Sequence, residues 1–139
     1  MAIEEAGNST GNIRVLVIDD SKTIRHTAEV LLRKAGYDVA TAEDGYEALP
    51  KIVDFHPDIV FVDIMMPRLD GYQTCALIKR NKIFKATPVI MLSSKDGLFD
   101  RARGRLAGAE DYVTKPFSKE ELLGAIRRYV VESRANGAD

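Results

Sequence analysis

At 139 residues the chain has the length of one ordinary domain, with enough material for a single hydrophobic core and no room for a second. A content of 45% hydrophobic and 29% charged residues excludes a disordered or fibrous chain, and a formal net charge of -1 gives no electrostatic reason to expect nucleic acid as a partner. The lone cysteine, Cys75, cannot form an internal disulfide, and no apolar stretch approaches the ~20 residues of a membrane span, so the expected setting is cytoplasmic, without membrane insertion.

The first 12 residues are polar and lack the basic start and apolar segment of a secretory signal, so they are expected to be a flexible arm. Arg14–Ile18 is a solid apolar run, the mark of a strand buried on both faces of a parallel sheet. Ser21 is a candidate N-cap, and Ile24, Ala28, Leu31, Leu32 and Ala35 trace one helix face that Gly36 closes. Asp38–Ala42 predicts a second strand and Tyr46–Phe55 a second helix. Pro50 lies where that helix needs a backbone donor, so a kink or a short, irregular helix is expected, and His56-Pro57 ends it because a residue before proline avoids the α region.

Ile59–Asp63 is the third strand, Gly71–Lys82 a helix, Val89–Leu92 the fourth strand, Leu98–Ala107 a helix and Asp111–Thr114 the fifth strand. A capping box at Ser118-Lys119-Glu120-Glu121 opens a last helix over Lys119–Val131, with an apolar face at Leu122, Leu123, Ile126 and Val130. One domain over 13–132 and a flexible tail over 133–139 follow from this pattern. Strict strand-helix alternation predicts an α/β fold, a flavodoxin-like doubly wound (βα)5 arrangement with a five-stranded parallel sheet of order 2-1-3-4-5 and helices on both faces.

In that order the switch point falls between the first and third strands, flanked by Asp19, Asp20 and Asp63, and ligand sites of open α/β sheets lie at this edge. Lys115 ends the fifth strand and Ser93 the fourth. At ~5 Å spacing and an effective dielectric of ~20, each pair of carboxylate charges costs about 3 kcal/mol, so the cluster calls for protons or a cation. An all-oxygen donor set suits Mg²⁺ and not zinc, which prefers His and Cys. Asp63, ending the central strand, is the candidate nucleophile toward phosphorus; Asp19 and Asp20 would hold the metal, Lys115 would neutralise phosphoryl oxygens, and the Ser93 hydroxyl would donate to another. His26 and His56 read as solvated or locally satisfied imidazoles, Cys75 as a small core residue, and Met65 and Met66 as packing beside the site.

The segments Val17-Ile18-Asp19-Asp20-Ser21, Val62 through Gly71, Leu92-Ser93-Ser94 and Thr114-Lys115-Pro116-Phe117 together resemble the CheY-like receiver domain of two-component response regulators, a likeness that runs from Asn12 to about Val131. The resemblance implies that Asp63 takes a phosphoryl group from a histidine kinase. It also implies Mg²⁺ held by Asp19, Asp20, Asp63 and the backbone carbonyl of Met65. Ser21–Arg25, Phe61–Lys79 and Met91–Asp100 look more narrowly like stand-alone receivers of chemotaxis-like systems that control type IV pili and twitching motility.

In such receivers the strand-four hydroxyl moves toward the phosphoryl group and a strand-five aromatic turns inward, here Ser93 and Tyr112. The output partner is then expected at the face made by the fourth helix, fifth strand and fifth helix, on a monomer or a phosphorylation-dependent dimer. Basic residues on that face (Lys95, Arg101, Arg103, Arg105, Lys119, Arg127, Arg128) are interleaved with acids and read as a solvated surface. Met65 and Lys95 occupy positions expected to set the phosphate lifetime. Two rival readings are a Mg²⁺-dependent phosphatase of the haloacid-dehalogenase type, with Asp19 or Asp20 as nucleophile, and a receiver-like module that is never phosphorylated. A DNA-binding regulator is not expected, since no residues remain for a helix-turn-helix after Val131.

Overall fold

The structure, a computed structural model, describes residues 12–94 and 98–137. Five strands, β1 (Arg14–Ile18), β2 (Asp38–Ala42), β3 (Ile59–Asp63), β4 (Val89–Ser93) and β5 (Asp111–Thr114), form one parallel sheet of order β2-β1-β3-β4-β5, as the alternation predicts. Between them run α1 (Lys22–Lys34), α2 (Gly45–Phe55), α3 (Gly71–Arg80) and α4 (Leu98–Ala107), with α5 starting at Lys119. The solid apolar runs have the predicted cause: all five residues of β3 and all five of β4 are buried, because helices cover both sides. Leu16, Ile18, Val60, Val62 and Met91 pack toward Ala48 and Ile52 of α2 and Tyr72, Cys75 and Ile78 of α3. Val15, Val17, Phe61, Ile90 and Leu92 pack toward Ala28 and Leu32 of α1 and Leu122, Ile126 and Val130 of α5.

Side-chain caps set the helix starts. Ser21, Asp44, Asp70 and Ser118 each accept the third backbone N–H of their helix, and Gln73 and Glu121 complete capping boxes at Asp70 and Ser118. Several boundaries differ from the sequence reading. The α2 helix runs unbroken through Pro50 over 11 residues, so the expectation of a short, irregular helix is corrected. The carbonyl that Pro50 leaves without a donor belongs to Tyr46, whose residue is exposed, so water can serve it. His56 ends α2 in the left-handed region (φ 51) while its N–H still donates to Ile52 O at 2.9 Å, a cap geometry that the proline argument did not foresee.

The α3 helix stops at Arg80, two residues short of Lys82, because Asn81 turns extended and its side chain accepts from Ile83 N–H. The α5 helix is α-helical over Lys119–Ile126, widens into a π-helical turn over Arg127–Val131, and continues as α-helix over Glu132–Gly137, running into the segment over 133–139 expected to be a tail. There Arg134 pairs with Asp58 at 2.6 Å, tying the extension to the loop before β3. The arm over 1–11, Lys95 and residues 138–139 lie outside the described residues. Among the described residues no helix is long and apolar enough to cross a membrane.

Candidate functional site

The sheet register brings the predicted strand-end groups to one edge. Ile18 pairs with Val62, Asp63 with Leu92 and Ser93 with Thr114, so the residue after β1 lies beside the end of β3 and the residue after β5 lies one strand beyond β4 along the same edge. Carboxylate oxygens of Asp19, Asp20 and Asp63 lie within 4.8 Å of one another. Asp19 and Asp63 are buried and Asp20 is exposed, so the cluster opens to solvent on the Asp20 side. The Lys115 ammonium donates to Asp19 Oδ2 and to Asp63 Oδ1, each at 3.1 Å. The Lys115-Pro116 bond is cis. Ser93, 4% exposed, closes β4, and its carbonyl accepts the Lys115 N–H at 2.6 Å.

Local structure orients each carboxylate. Asp19 Oδ1 accepts the Ser21 N–H at 2.9 Å, and its backbone carbonyl accepts from Arg25 of α1 at 2.7 Å. Asp63 Oδ1 also accepts the Met65 N–H at 3.3 Å. Gly71 permits the close return of the chain over β3: a Cβ there would lie 2.4 Å from Asp63 O and 2.7 Å from Ile64 Cα.

Burial, followed by the adjacent charge of Asp19, pushes the Asp63 carboxyl up to about 6; Lys115 opposes the shift and a hydrogen bond with Asp20 adds to it. Burial works against the Lys115 charge, yet hydrogen bonding and attraction to Asp19, then Asp63, hold its pKa above the usual lysine value. The acid-rich edge thus keeps its one ammonium charged and resists full ionisation of Asp63. An all-oxygen donor set of this charge and spacing fits a hard divalent cation such as Mg²⁺.

The remaining predicted residues fall in three groups. Tyr112 is half-buried on β5, its hydroxyl accepting from Arg101 Nε of α4, with the Arg101 guanidinium 4.3 Å from the ring centroid. Met66 is buried as expected, but Met65 is 72% exposed, which corrects the expectation that both pack: the backbone directs Met65 outward as the chain leaves β3. His26 is exposed, His56 meets Phe84 edge-on at 5.3 Å, and Cys75 is fully buried with its thiol pushed up to about 11, mainly by burial. Sequence reasoning missed Arg25 and the pairing of Arg68 with Asp44 (2.5 Å); both arginines stand in quoted motifs, but each finds its partner only through the fold.

The comparisons with known proteins point to one family. The model of the response regulator receiver domain family matches residues 15–127. Protein PilG of Pseudomonas aeruginosa is 73% identical over 118 residues, which is 85% of this chain and 87% of that protein. The alkaline phosphatase synthesis transcriptional regulatory protein PhoP of Bacillus subtilis is 40% identical over 116 residues, covering 84% of this chain and 48% of that protein. Among solved structures, the Vibrio cholerae chemotaxis protein CheY4 superposes with a TM-score of 0.84 at 33% identity, covering 86% of this chain and 100% of that one. The receiver domain of the sensor histidine kinase PA1611 from Pseudomonas aeruginosa, with a magnesium ion coordinated in its active-site cleft, gives a TM-score of 0.80 at 28% identity and covers 87% of this chain and 99% of that one. With a family match that runs from β1 into α5 and a fold shared with solved receivers, the chain belongs to the response regulator receiver domain family.

Proposed function

We propose that this receiver accepts a phosphoryl group on Asp63 from a phosphohistidine of a histidine kinase and signals by binding a partner in its phosphorylated state. The observation that carries the reading is the convergence of Asp19, Asp20 and Asp63 within 4.8 Å, with Lys115 bridging two of them. Asp19, Asp20, Asp63 and the Met65 carbonyl would hold Mg²⁺, which when bound offsets carboxylate repulsion and the charge of the phosphoryl oxygens. An Asp63 oxygen attacks phosphorus, the P–N bond breaks, and its electron pair leaves with the imidazole. Lys115 attracts the phosphoryl oxygens as a compact charge, and the Ser93 hydroxyl donates to another. The protein's catalysis is confined to forming and hydrolysing its own aspartyl phosphate.

A phosphoryl group adds roughly two negative charges at a fixed point. Ser93 moving toward it and Tyr112 turning inward would carry the change to the face of α4, β5 and α5, where an output protein binds. Similarity to PilG supports a place in a chemotaxis-like system controlling type IV pili and twitching motility.

Labelling by a small phosphodonor, with and without Mg²⁺, tests the reading in wild type and Asp63→Asn. Label that requires Mg²⁺ and disappears in Asp63→Asn is expected. Label that persists in Asp63→Asn would move the nucleophile to Asp19 or Asp20 and overturn it.

A further inference from the structure

The loop between Asp63 and α3 makes a sharp turn. Arg68 adopts φ of +68, a conformation that side chains other than glycine's rarely take, and Leu69 N–H turns back onto Pro67 O at 2.7 Å. Backbone strain of this kind persists where surrounding contacts over-determine it. Here the Arg68 guanidinium reaches Asp44 Oδ2 at 2.5 Å and lies 5.3 Å from the Tyr46 ring centroid. Asp44, 7% exposed, uses its other oxygen to cap α2 through Glu47 N–H at 2.8 Å. That backbone bond, foremost, and the Arg68 charge hold the Asp44 carboxyl below the usual carboxylate range.

The same loop closes against α2 beside this pair. A Cβ on Gly45 would meet Thr74 Oγ1 at 2.4 Å and Leu69 Cδ2 at 2.5 Å. The Arg68 side chain is 65% exposed, and ion pairs so open to water add little to stability. Its effect is therefore expected in the loop's geometry. The loop also carries Met65, whose N–H donates to Asp63 at 3.3 Å.

We propose that Arg68 and Asp44 latch the loop to the start of α2 and so position the Met65 main chain against the Asp63 carboxylate, making Arg68 a positioning residue for phosphoryl transfer. The proposal rests on the reading of Asp63 as phosphoacceptor.

Two substitutions isolate the latch. Asp44→Asn keeps an N-cap while removing the charge, and Arg68→Asn keeps a residue that tolerates positive φ while removing the guanidinium. The two variants and their double are compared with wild type by the Met65 amide NMR signal in Mg²⁺-free protein, the labelling rate from acetyl phosphate, and the thermal midpoint. Expected are a shifted, faster-exchanging Met65 amide and labelling slowed about three- to tenfold, as a small misplacement of reacting groups produces. The double variant should be no slower than the slower single, because the two residues act as one unit. A thermal midpoint close to wild type sets this apart from a purely structural role. An unmoved Met65 amide, or losses that simply add, overturns the latch. Wild type that takes no label overturns the phosphoacceptor reading instead, and the catalytic role of the latch with it.

Discussion

Lys115 and Asp63 meet at 3.1 Å across the end of an intervening strand: Lys115 follows β5, Asp63 ends β3, and β4 lies between them. The ammonium reaches past Ser93 to touch Asp63 and also Asp19, which follows β1. Its position is set by electrostatics, because it is the one cation contacting two buried carboxylates among the described residues.

Removing it should therefore cost stability. Lys115→Ala leaves Asp19 and Asp63 facing each other without a counter-charge, and a loss of about 2–4 kcal/mol is expected from breaking a largely buried pair. Chemical denaturation in the presence of a chelator measures it. Added Mg²⁺ should recover part of the loss, since a ligand that binds only the folded state stabilises it by mass action.

Asp63→Asn should act in the opposite direction. The folded-state pKa of Asp63, about 6, lies above its ordinary 3.8, so within that window the folded protein keeps a proton that the unfolded chain has lost. The stabilising contribution is whole below 3.8 and is lost as pH rises through 6. Asparagine removes the repulsion that sets in there. In Mg²⁺-free buffer at pH 7 the variant should be more stable by about 1–2 kcal/mol, after discounting for solvent screening at the open edge. The gain should vanish near pH 4, and thermal melts across pH would show it.

Gly71→Ala should damage both fold and site. The added methyl group would lie 2.4 Å from the Asp63 carbonyl oxygen, a backbone atom that moves only if β3 or the loop moves. A loss of about 2–3 kcal/mol is expected from overpacking of this kind, together with slower labelling at Asp63. Denaturant midpoints and labelling rates measured on the same preparation would test both effects.

Pro50→Ala should stabilise the protein. The substitution restores a donor for Tyr46 O within α2, and alanine is favoured over proline in a helix interior by about 3 kcal/mol. Greater freedom of the unfolded chain offsets about 0.4–1 kcal/mol of that, and water can already serve the carbonyl of the exposed Tyr46. A net gain of about 1–2 kcal/mol in chemical denaturation is expected.

Met65→Asn should change the lifetime of the aspartyl phosphate with little effect on stability. Met65 is 72% exposed beside Asp63, and its thioether orients an attacking water poorly, whereas an amide can both donate and accept. Decay of labelled protein after removal of the donor measures the rate; an unchanged rate would remove Met65 from the set of residues that govern it.

Much of the architecture was legible in the chain because its causes are local. Unbroken runs such as Ile59–Val62 indicate a strand covered on both sides, and Ser118 with Glu121 marks a helix start from bonds only three residues apart. The strand ends at Asp19, Asp20, Asp63, Ser93 and Lys115 follow from those elements, and a parallel sheet gathers them at one edge. Other features depend on how separate elements come to rest on one another. Arg68 meets Asp44 across 24 positions, Arg25 hangs from the carbonyl of Asp19, Met65 turns out to solvent while Met66 turns in, and α5 passes through a π-helical turn to tie Arg134 to Asp58. Periodicity and capping act within a few residues and determined the sheet and its chemical edge. The contacts that orient the edge join groups distant in sequence, so only the packed tertiary structure decided them.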